Sequence, residues 1–264
     1  MTLVLSVPIV EAADVDPHAG SRPVAVLIET DPWLNVIGSD TPVLAVYKDG
    51  QVLCKKTKRG NSLLFHTQLS RDSLEQIKKR LTTLGNYSTL KSFYQLAPLA
   101  SDMPQVQIYL SVDGLDFVTT INGLRLPDDP VIDPSAFVGE HKPDTLPKLI
   151  DELCLYLTSL GPNEAEIWEP ENVEVLFWGF DNALKSFDWP ADWPVPDSLS
   201  QPKQGDLFRV SLPGKDLPRL RKILANFNGD AAVTMGGYKW SVAWRYSFPC
   251  EEVWNKALYE KAAR

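Results

Sequence analysis

Short runs of apolar and β-branched residues, broken by glycine or by aspartate-glycine pairs, dominate the chain and predict β-strands. Three pairs of such runs flank Asp49-Gly50, Asp113-Gly114 and Gly236-Gly237, and each pair predicts a hairpin. The Asp49-Gly50 pair tolerates the positive φ angles of a type I′ turn. Beyond the hairpins at 43–57, 106–122 and 231–248, the pattern predicts strands at 24–30, 62–69, 173–180 and 207–212.

Helical spacing of apolar residues appears between the strand runs. Ser70 is a good N-cap for a helix with leucine or isoleucine at positions 74, 77, 81 and 84. A second apolar stripe predicts a helix at 146–160, and Asp216 is expected to cap a third. The sequence after 250 predicts a terminal helix or tail. These segments indicate an α+β protein with antiparallel sheets and helices packed on one face of each.

The order of elements is similar in the two halves of the chain, since each half reads as ββαββ. We therefore divide the chain into an N-terminal α+β part at 1–126, a connection with its linking helix at 127–163, and a C-terminal α+β part at 164–264. No residue-level repeat accompanies this order, and the parts can also form one continuous domain.

The acidic residues are concentrated in one segment. The chain has 264 residues, 26 Lys and Arg, and 34 Asp and Glu, for a net charge of −8, which disfavours nucleic acid as a ligand. From Asp128 to Asp206 there are seventeen acidic and four basic residues, so this segment carries −13 and the rest of the chain +5. Such a segment can steer a basic protein partner, or it can be a solvated acidic surface.

Cysteine usage and hydropathy indicate a cytoplasmic protein. The three cysteines are far apart, which disfavours a disulfide framework and a zinc site. The apolar run at 3–10 has no Lys or Arg before it and predicts an N-terminal strand or arm rather than a secretion signal. No apolar run has the length of a membrane helix.

Catalytic motifs are missing from the sequence. It contains no nucleophile elbow, phosphate-binding loop, dinucleotide fingerprint or zinc-protease motif, and His18, His66 and His141 are widely separated. We expect no catalytic residue, metal or cofactor. Two alternatives stay open: a carboxylate-dependent hydrolase or carbohydrate-binding module that uses pairs such as Trp168-Glu169, and a structural scaffold component.

Three of the tryptophans inside the acidic segment suggest a partner-binding surface, since tryptophans often anchor interfaces and surrounding acids supply a rim. The candidate partner-binding residues are Trp168, Glu169, Glu171, Asp188, Trp189, Asp192 and Trp193. The competing interpretation is that these tryptophans pack in the core. Core packing is also predicted for Trp240, Val242, Trp244 and Tyr246, which share one strand face.

The stretch FDWPADWP at 187–194 is central to this surface. It lies in a Pro-rich loop predicted at about 185–205, and Pro190 and Pro194 make the path of the chain stiff and largely extended. Stacking of the Trp189 and Trp193 rings on each other is therefore not expected. We expect an ordered loop with at least one ring packed against the body of the fold.

In class and charge, the chain resembles the toxin-neutralising immunity proteins of bacteria. The resemblance is carried by the acidic, Trp-containing segment of an α+β chain that lacks catalytic motifs, and it involves no sequence motif. It implies a non-enzymatic protein that binds a basic toxin domain in the cytoplasm and blocks its active site. It assigns no role to any particular residue.

Overall fold

A computed structural model describes residues 22–30, 41–58, 61–98, 103–126, 144–161, 166–196, 207–225 and 231–262. The strands are β1 (Pro23–Thr30), β2 (Pro42–Tyr47), β3 (Gln51–Lys58), β4 (Asn61–Gln68), β5 (Phe93–Gln95), β6 (Gln105–Val112), β7 (Leu115–Asn122), β8 (Glu166–Ile167), β9 (Asn172–Gly179), β10 (Lys185–Asp188), β11 (Phe208–Pro213), β12 (Ala231–Met235) and β13 (Tyr238–Tyr246). The helices are α1 (Arg71–Thr83), α2 (Lys148–Ser159), α3 (Leu217–Leu224) and α4 (Glu251–Ala262). The apolar run at 3–10, His18, most of the connection at 127–143 with His141, and the 197–206 part of the Pro-rich loop lie outside the described residues.

The larger sheet has eight strands in the order β5-β7-β6-β1-β2-β3-β4-β8. Every neighbouring pair is antiparallel except β5 with β7. Both faces of this sheet are buried, as the alternation along β1 shows: Leu27 packs with α1 and α2, whereas Val26 and Ile28 pack with α4. The sheet is therefore the middle layer of three.

The smaller sheet has five strands in the order β10-β12-β13-β9-β11, and only β10 and β12 run parallel. One face carries Val175, Phe177 and Trp240, and α3 packs on it through Leu217 and Leu220. The strand face predicted as core is confirmed: Trp240 and Tyr246 are buried, and Val242 and Trp244 pack against them.

The α+β class with two mostly antiparallel sheets is confirmed. The larger sheet differs in one detail, because it has helices on both faces rather than on one. The difference arises from α4, whose Trp254 and Leu258 join a hydrophobic cluster that contains residues of both sheets. The Tyr47 hydroxyl also donates to the Pro249 carbonyl over 3.2 Å, so the two halves of the chain share a core.

The turns follow the predicted chemistry in two hairpins out of three. Asp113 and Gly114 have φ of 47° and 84°, and Gly236 and Gly237 have 60° and 81°, as a type I′ turn requires. In the first hairpin only Gly50 has a positive φ, 89°. Its amide donates to the Tyr47 carbonyl, so this connection is a three-residue loop rather than the expected type I′ turn.

Of the two helix caps predicted from the sequence, the one at Ser70 is confirmed and the one at Asp216 is wrong. The Ser70 side chain accepts from the Ser73 amide over 3.1 Å and caps α1 as expected. Asp216 makes no side-chain cap for α3, because a 3-10 turn at Gly214–Asp216 leads directly into that helix. The region read as a Pro-rich loop from 185 begins instead with the strand β10.

Candidate protein-binding surface

The predicted partner-binding residues form two groups, which connect to α3 through two different arginines. Group one follows β8 and contains Trp168, Glu169 and Glu171; group two follows β10 and contains Asp188, Trp189, Asp192 and Trp193. From α3, the Arg219 guanidinium lies over the Trp193 ring, and Arg221 donates to the Tyr246 hydroxyl over 2.7 Å. The Tyr246 ring in turn contacts Trp168 at 6.1 Å between centroids. The structure therefore connects the two groups to a basic helix rather than placing them in one acidic patch.

The two tryptophans of the second group are core residues. Trp189 is 6% exposed and Trp193 is 5% exposed, so neither ring is available as the surface anchor that we expected. The Trp189 ring meets Phe177 edge-on at 4.9 Å, and its indole N–H donates to the Pro194 carbonyl over 3.0 Å. The packing interpretation therefore holds for this pair.

The two rings do not stack on each other, as expected, but they lie closer together than an extended path allows. Their centroids are 4.9 Å apart at an interplanar angle of 63°, an edge-to-face pair. The reason is a turn between the two Trp-Pro pairs, in which the Trp193 amide donates to the Pro190 carbonyl over 3.1 Å. An extended path was expected from the prolines, but the turn brings the second ring back to the first.

Asp192 is held by an internal ion pair. Both of its oxygens accept from Arg219, at 2.6 and 3.0 Å, and the guanidinium lies 4.8 Å from the centre of the Trp193 ring. These hydrogen bonds lower the pKa of the Asp192 carboxyl. Asp192 therefore fastens the loop to α3, whereas Asp188 at the end of β10 is exposed.

Other acids of the −13 segment are also paired with cations outside it. Asp144 accepts from Lys91 over 2.6 Å, and this hydrogen bond lowers the pKa of the Asp144 carboxyl. Glu174 binds Arg245 and Arg209. Several acids of the segment are thus neutralised by ion pairs within the molecule. The charge that the segment presents to a partner therefore depends on its exposed, unpaired acids rather than on its total of −13.

Exposed acids and an exposed apolar side chain coincide in the first group. We name residues 166–171, EIWEPE, the acidic ridge. Ile167 is 59% exposed, Glu166 has 90% of its side chain exposed, and Glu169 and Glu171 are exposed as well. Ile167 was not among the residues predicted from the sequence, although an isoleucine inside a run of glutamates was the signal for it.

Backbone and ring contacts fix the acidic ridge at several points. The Trp168 amide donates to the Leu64 carbonyl over 2.9 Å, and its half-buried ring packs on Phe248 at 5.5 Å. At the other end, the Gly214 amide donates to the Glu171 carbonyl over 2.7 Å. The ridge therefore presents its side chains from an ordered backbone.

In the described part of the chain, two carboxylates that meet at one arginine have a structural role. Glu174 of β9 and Glu251 of α4 both bind Arg245, which has 9% of its side chain exposed. Arg245 Nε donates to Glu174 over 2.5 Å, and another guanidinium nitrogen donates to Glu251 over 3.0 Å. Both carboxylates are thus held in ion pairs with arginines, since Arg209 also binds Glu174, so this arrangement does not favour the hydrolase alternative.

Thiol and metal chemistry find little support in the described part of the chain. All three cysteines are buried, and burial raises the pKa of the Cys54 thiol and raises that of the Cys154 thiol to about 12. No group of three or more His, Cys, Asp or Glu residues that could hold a metal occurs in the described ranges. His66 lies 3.6 Å from Glu166. Within the same ranges, no helix combines the length and the apolar character needed to cross a membrane.

Comparisons with protein-family models, with curated proteins and with solved structures find no match for this chain. The class that the structure defines is an α+β protein with two mostly antiparallel sheets and a core shared between them. A proposal about function therefore rests on the geometry and charge of the molecule itself.

Proposed function

We propose that this chain is a non-enzymatic protein-binding protein of the cytoplasm that recognises a basic partner through the acidic ridge. The observation that carries the proposal is the exposure of Ile167 among three exposed glutamates, Glu166, Glu169 and Glu171. In the immunity-type form of the proposal, the partner is a cationic bacterial toxin domain, whose active site the bound chain blocks.

An apolar centre with a charged rim is suited to such a partner. Ile167 and the exposed part of Trp168 supply apolar area that becomes buried in the complex. The glutamates around them raise the rate of encounter with a cationic surface and disfavour acidic competitors. Because the ridge backbone is held by hydrogen bonds at Trp168 and Glu171, little conformational entropy is lost on binding.

Binding kinetics with a cationic toxin domain encoded beside this chain test the proposal. Replacing Ile167 by Asp is expected to raise Kd about tenfold or more, mainly through faster dissociation. The double change Glu169→Lys with Glu171→Lys is expected to slow association about tenfold at low salt, and the loss is expected to shrink as salt rises. Surface plasmon resonance at several salt concentrations measures both effects.

The matched control is Asp72→Lys with Glu75→Lys near the start of α1, which makes the same change in net charge at exposed positions distant from the ridge in the sequence. It is expected to alter association much less than the ridge variants. Equal effects from both double variants would show that only net charge matters and would remove the ridge as the binding site. The immunity-type form fails if the unmodified chain does not relieve growth inhibition by that toxin domain.

A further inference from the structure

The outer edge of the smaller sheet is an exposed strand. In the described part of the chain, β10 is the last strand on its side of the sheet, and all four of its residues are exposed. Phe187 keeps 38% of its surface exposed, and Leu184 just before the strand keeps 82%. An exposed edge with apolar side chains is a template for pairing with another strand.

One hydrogen bond shows which residues of β10 direct their backbone groups towards β12 and which direct them away. We call this pattern the phase of the strand. The Trp189 amide donates to the Thr234 carbonyl over 3.0 Å, and β10 runs parallel to β12 with Phe187 opposite Val233. In a parallel pair, alternate residues direct both backbone groups to the same neighbour. The groups of Phe187 therefore face β12, and those of Ser186 and Asp188 face away from the sheet.

This phase makes the edge self-complementary. An antiparallel copy of β10 can pair Ser186 of one chain with Asp188 of the second copy, and the reverse, through four backbone hydrogen bonds. Phe187 of each chain then lies directly opposite Phe187 of the other, in the closely spaced position where aromatic pairs stabilise sheets. The Ser186 hydroxyl lies on the same side of the sheet as the Asp188 carboxylate of the second copy, and can donate to it.

The two other registers that satisfy the same phase are less favourable. Pairing Asp188 with Asp188 of the second copy sets like charges directly opposite each other. Pairing Ser186 with Ser186 of the second copy sets Phe187 opposite Lys185 and leaves both Asp188 residues outside the paired segment. Only the register centred on Phe187 combines the aromatic pair with compatible neighbours.

We infer that this chain forms a two-fold dimer through β10, with Phe187 at the dyad, so that two five-stranded sheets become one continuous sheet. The inference is independent of the proposed toxin partner, because the acidic ridge follows β8 at the edge of the other sheet. The paired strands are short, since β10 ends at Asp188 and the turn from Pro190 to Trp193 follows soon after it. The dimer is therefore expected to be weak and dependent on concentration.

Sedimentation equilibrium over a range of concentrations tests the dimer. The unmodified chain is expected to pass from the mass of one protomer, 29.5 kDa, towards twice that mass. Ser186→Pro removes an amide hydrogen that faces away from β12, and is expected to stay at the mass of one protomer. Ser186→Ala keeps that hydrogen and is expected to associate nearly as the unmodified chain does.

Cross-linking tests the register even if the proline variant does not fold. Opposed residues in the closely spaced position have Cα atoms about 4.5 Å apart, within the range of a disulfide. Phe187→Cys is therefore expected to form a covalent dimer under an added thiol oxidant, whereas Ser186→Cys, which faces Asp188 of the second copy, is not. The inference is overturned if the unmodified chain keeps the mass of one protomer at every concentration, or if the Ser186→Cys chain cross-links as readily as the Phe187→Cys chain.

Discussion

At the scale of single residues, the Trp-Pro loop shows that local chemistry and tertiary packing determine different features of the structure. Local chemistry restricts the backbone, and tertiary packing sets the positions of the side chains. Pro190 and Pro194 restrict the backbone in the described part of the loop, which extends to residue 196. They did not decide where the rings point, because the turn from Pro190 to Trp193 and the Asp192–Arg219 ion pair direct the rings into the core. Tryptophan is a residue type that often anchors interfaces, but Trp189 and Trp193 are both buried in the core.

Truncating these rings tests that conclusion. Trp189→Ala or Trp193→Ala removes a buried indole and is expected to lower the free energy of unfolding by about 3–5 kcal/mol. Leu184→Ala serves as the control, because Leu184 is 82% exposed and its removal is expected to change stability by less than about 0.5 kcal/mol. Urea denaturation followed by tryptophan fluorescence and circular dichroism gives both values; equal stabilities for Trp189→Ala and the unmodified chain would contradict the packing.

At the scale of elements, the first turn of α4 is fixed to the smaller sheet by charge. Arg245 projects from β13 and binds Glu251 at the start of the helix, while Glu174 on β9 accepts from the same guanidinium. The sequence predicted a helix or tail here but not its position, since the partners lie on strands that are distant in the chain. Three side chains thus set the place at which α4 begins to cross the larger sheet.

Removing the Arg245 guanidinium leaves Glu251 without its arginine and leaves Glu174 with the more exposed Arg209 alone. Arg245→Ala is therefore expected to cost about 3–5 kcal/mol of stability. Arg209→Ala is a matched control, because Arg209 binds the same Glu174 from a side chain that is 56% exposed, and its loss is expected to cost less than about 1 kcal/mol. Thermal unfolding of the two variants gives the comparison, and similar losses in both would show that Arg245 is no more important than a surface cation.

At the scale of the whole molecule, the elements were more predictable than their arrangement. Strand runs, the Asp113-Gly114 turn and the Ser70 cap depend on neighbours in sequence, and the structure agrees with them. The position of α4, the edge position of β10 and the burial of Trp189 depend on contacts between distant segments, which periodicity does not encode. For the same reason, the sequence predicts a candidate surface within the acidic segment but does not single out Ile167 and its neighbouring glutamates.

The shared core predicts cooperative unfolding. Val26 and Ile28 of the first part lie in one hydrophobic cluster with Trp254 and Leu258 of the last helix. We therefore expect a single thermal transition with equal calorimetric and van't Hoff enthalpies. A chain ended after residue 163 is expected to lack a cooperative transition, because one face of its larger sheet is uncovered. Two separate transitions in the full chain, or a cooperatively folded 1–163 fragment, would contradict this.

The place of α4 also bears on synthesis in the cell. A chain leaves the ribosome from its N-terminus, so the strands of the larger sheet emerge long before residues 251–262 that cover one of its faces. Until residues 251–262 have emerged, that apolar face has no native cover and is a surface for chaperones or for aggregation. Ribosome stalling or premature termination just before residue 251 would therefore leave a chain that contains the strands of the larger sheet but is prone to aggregate.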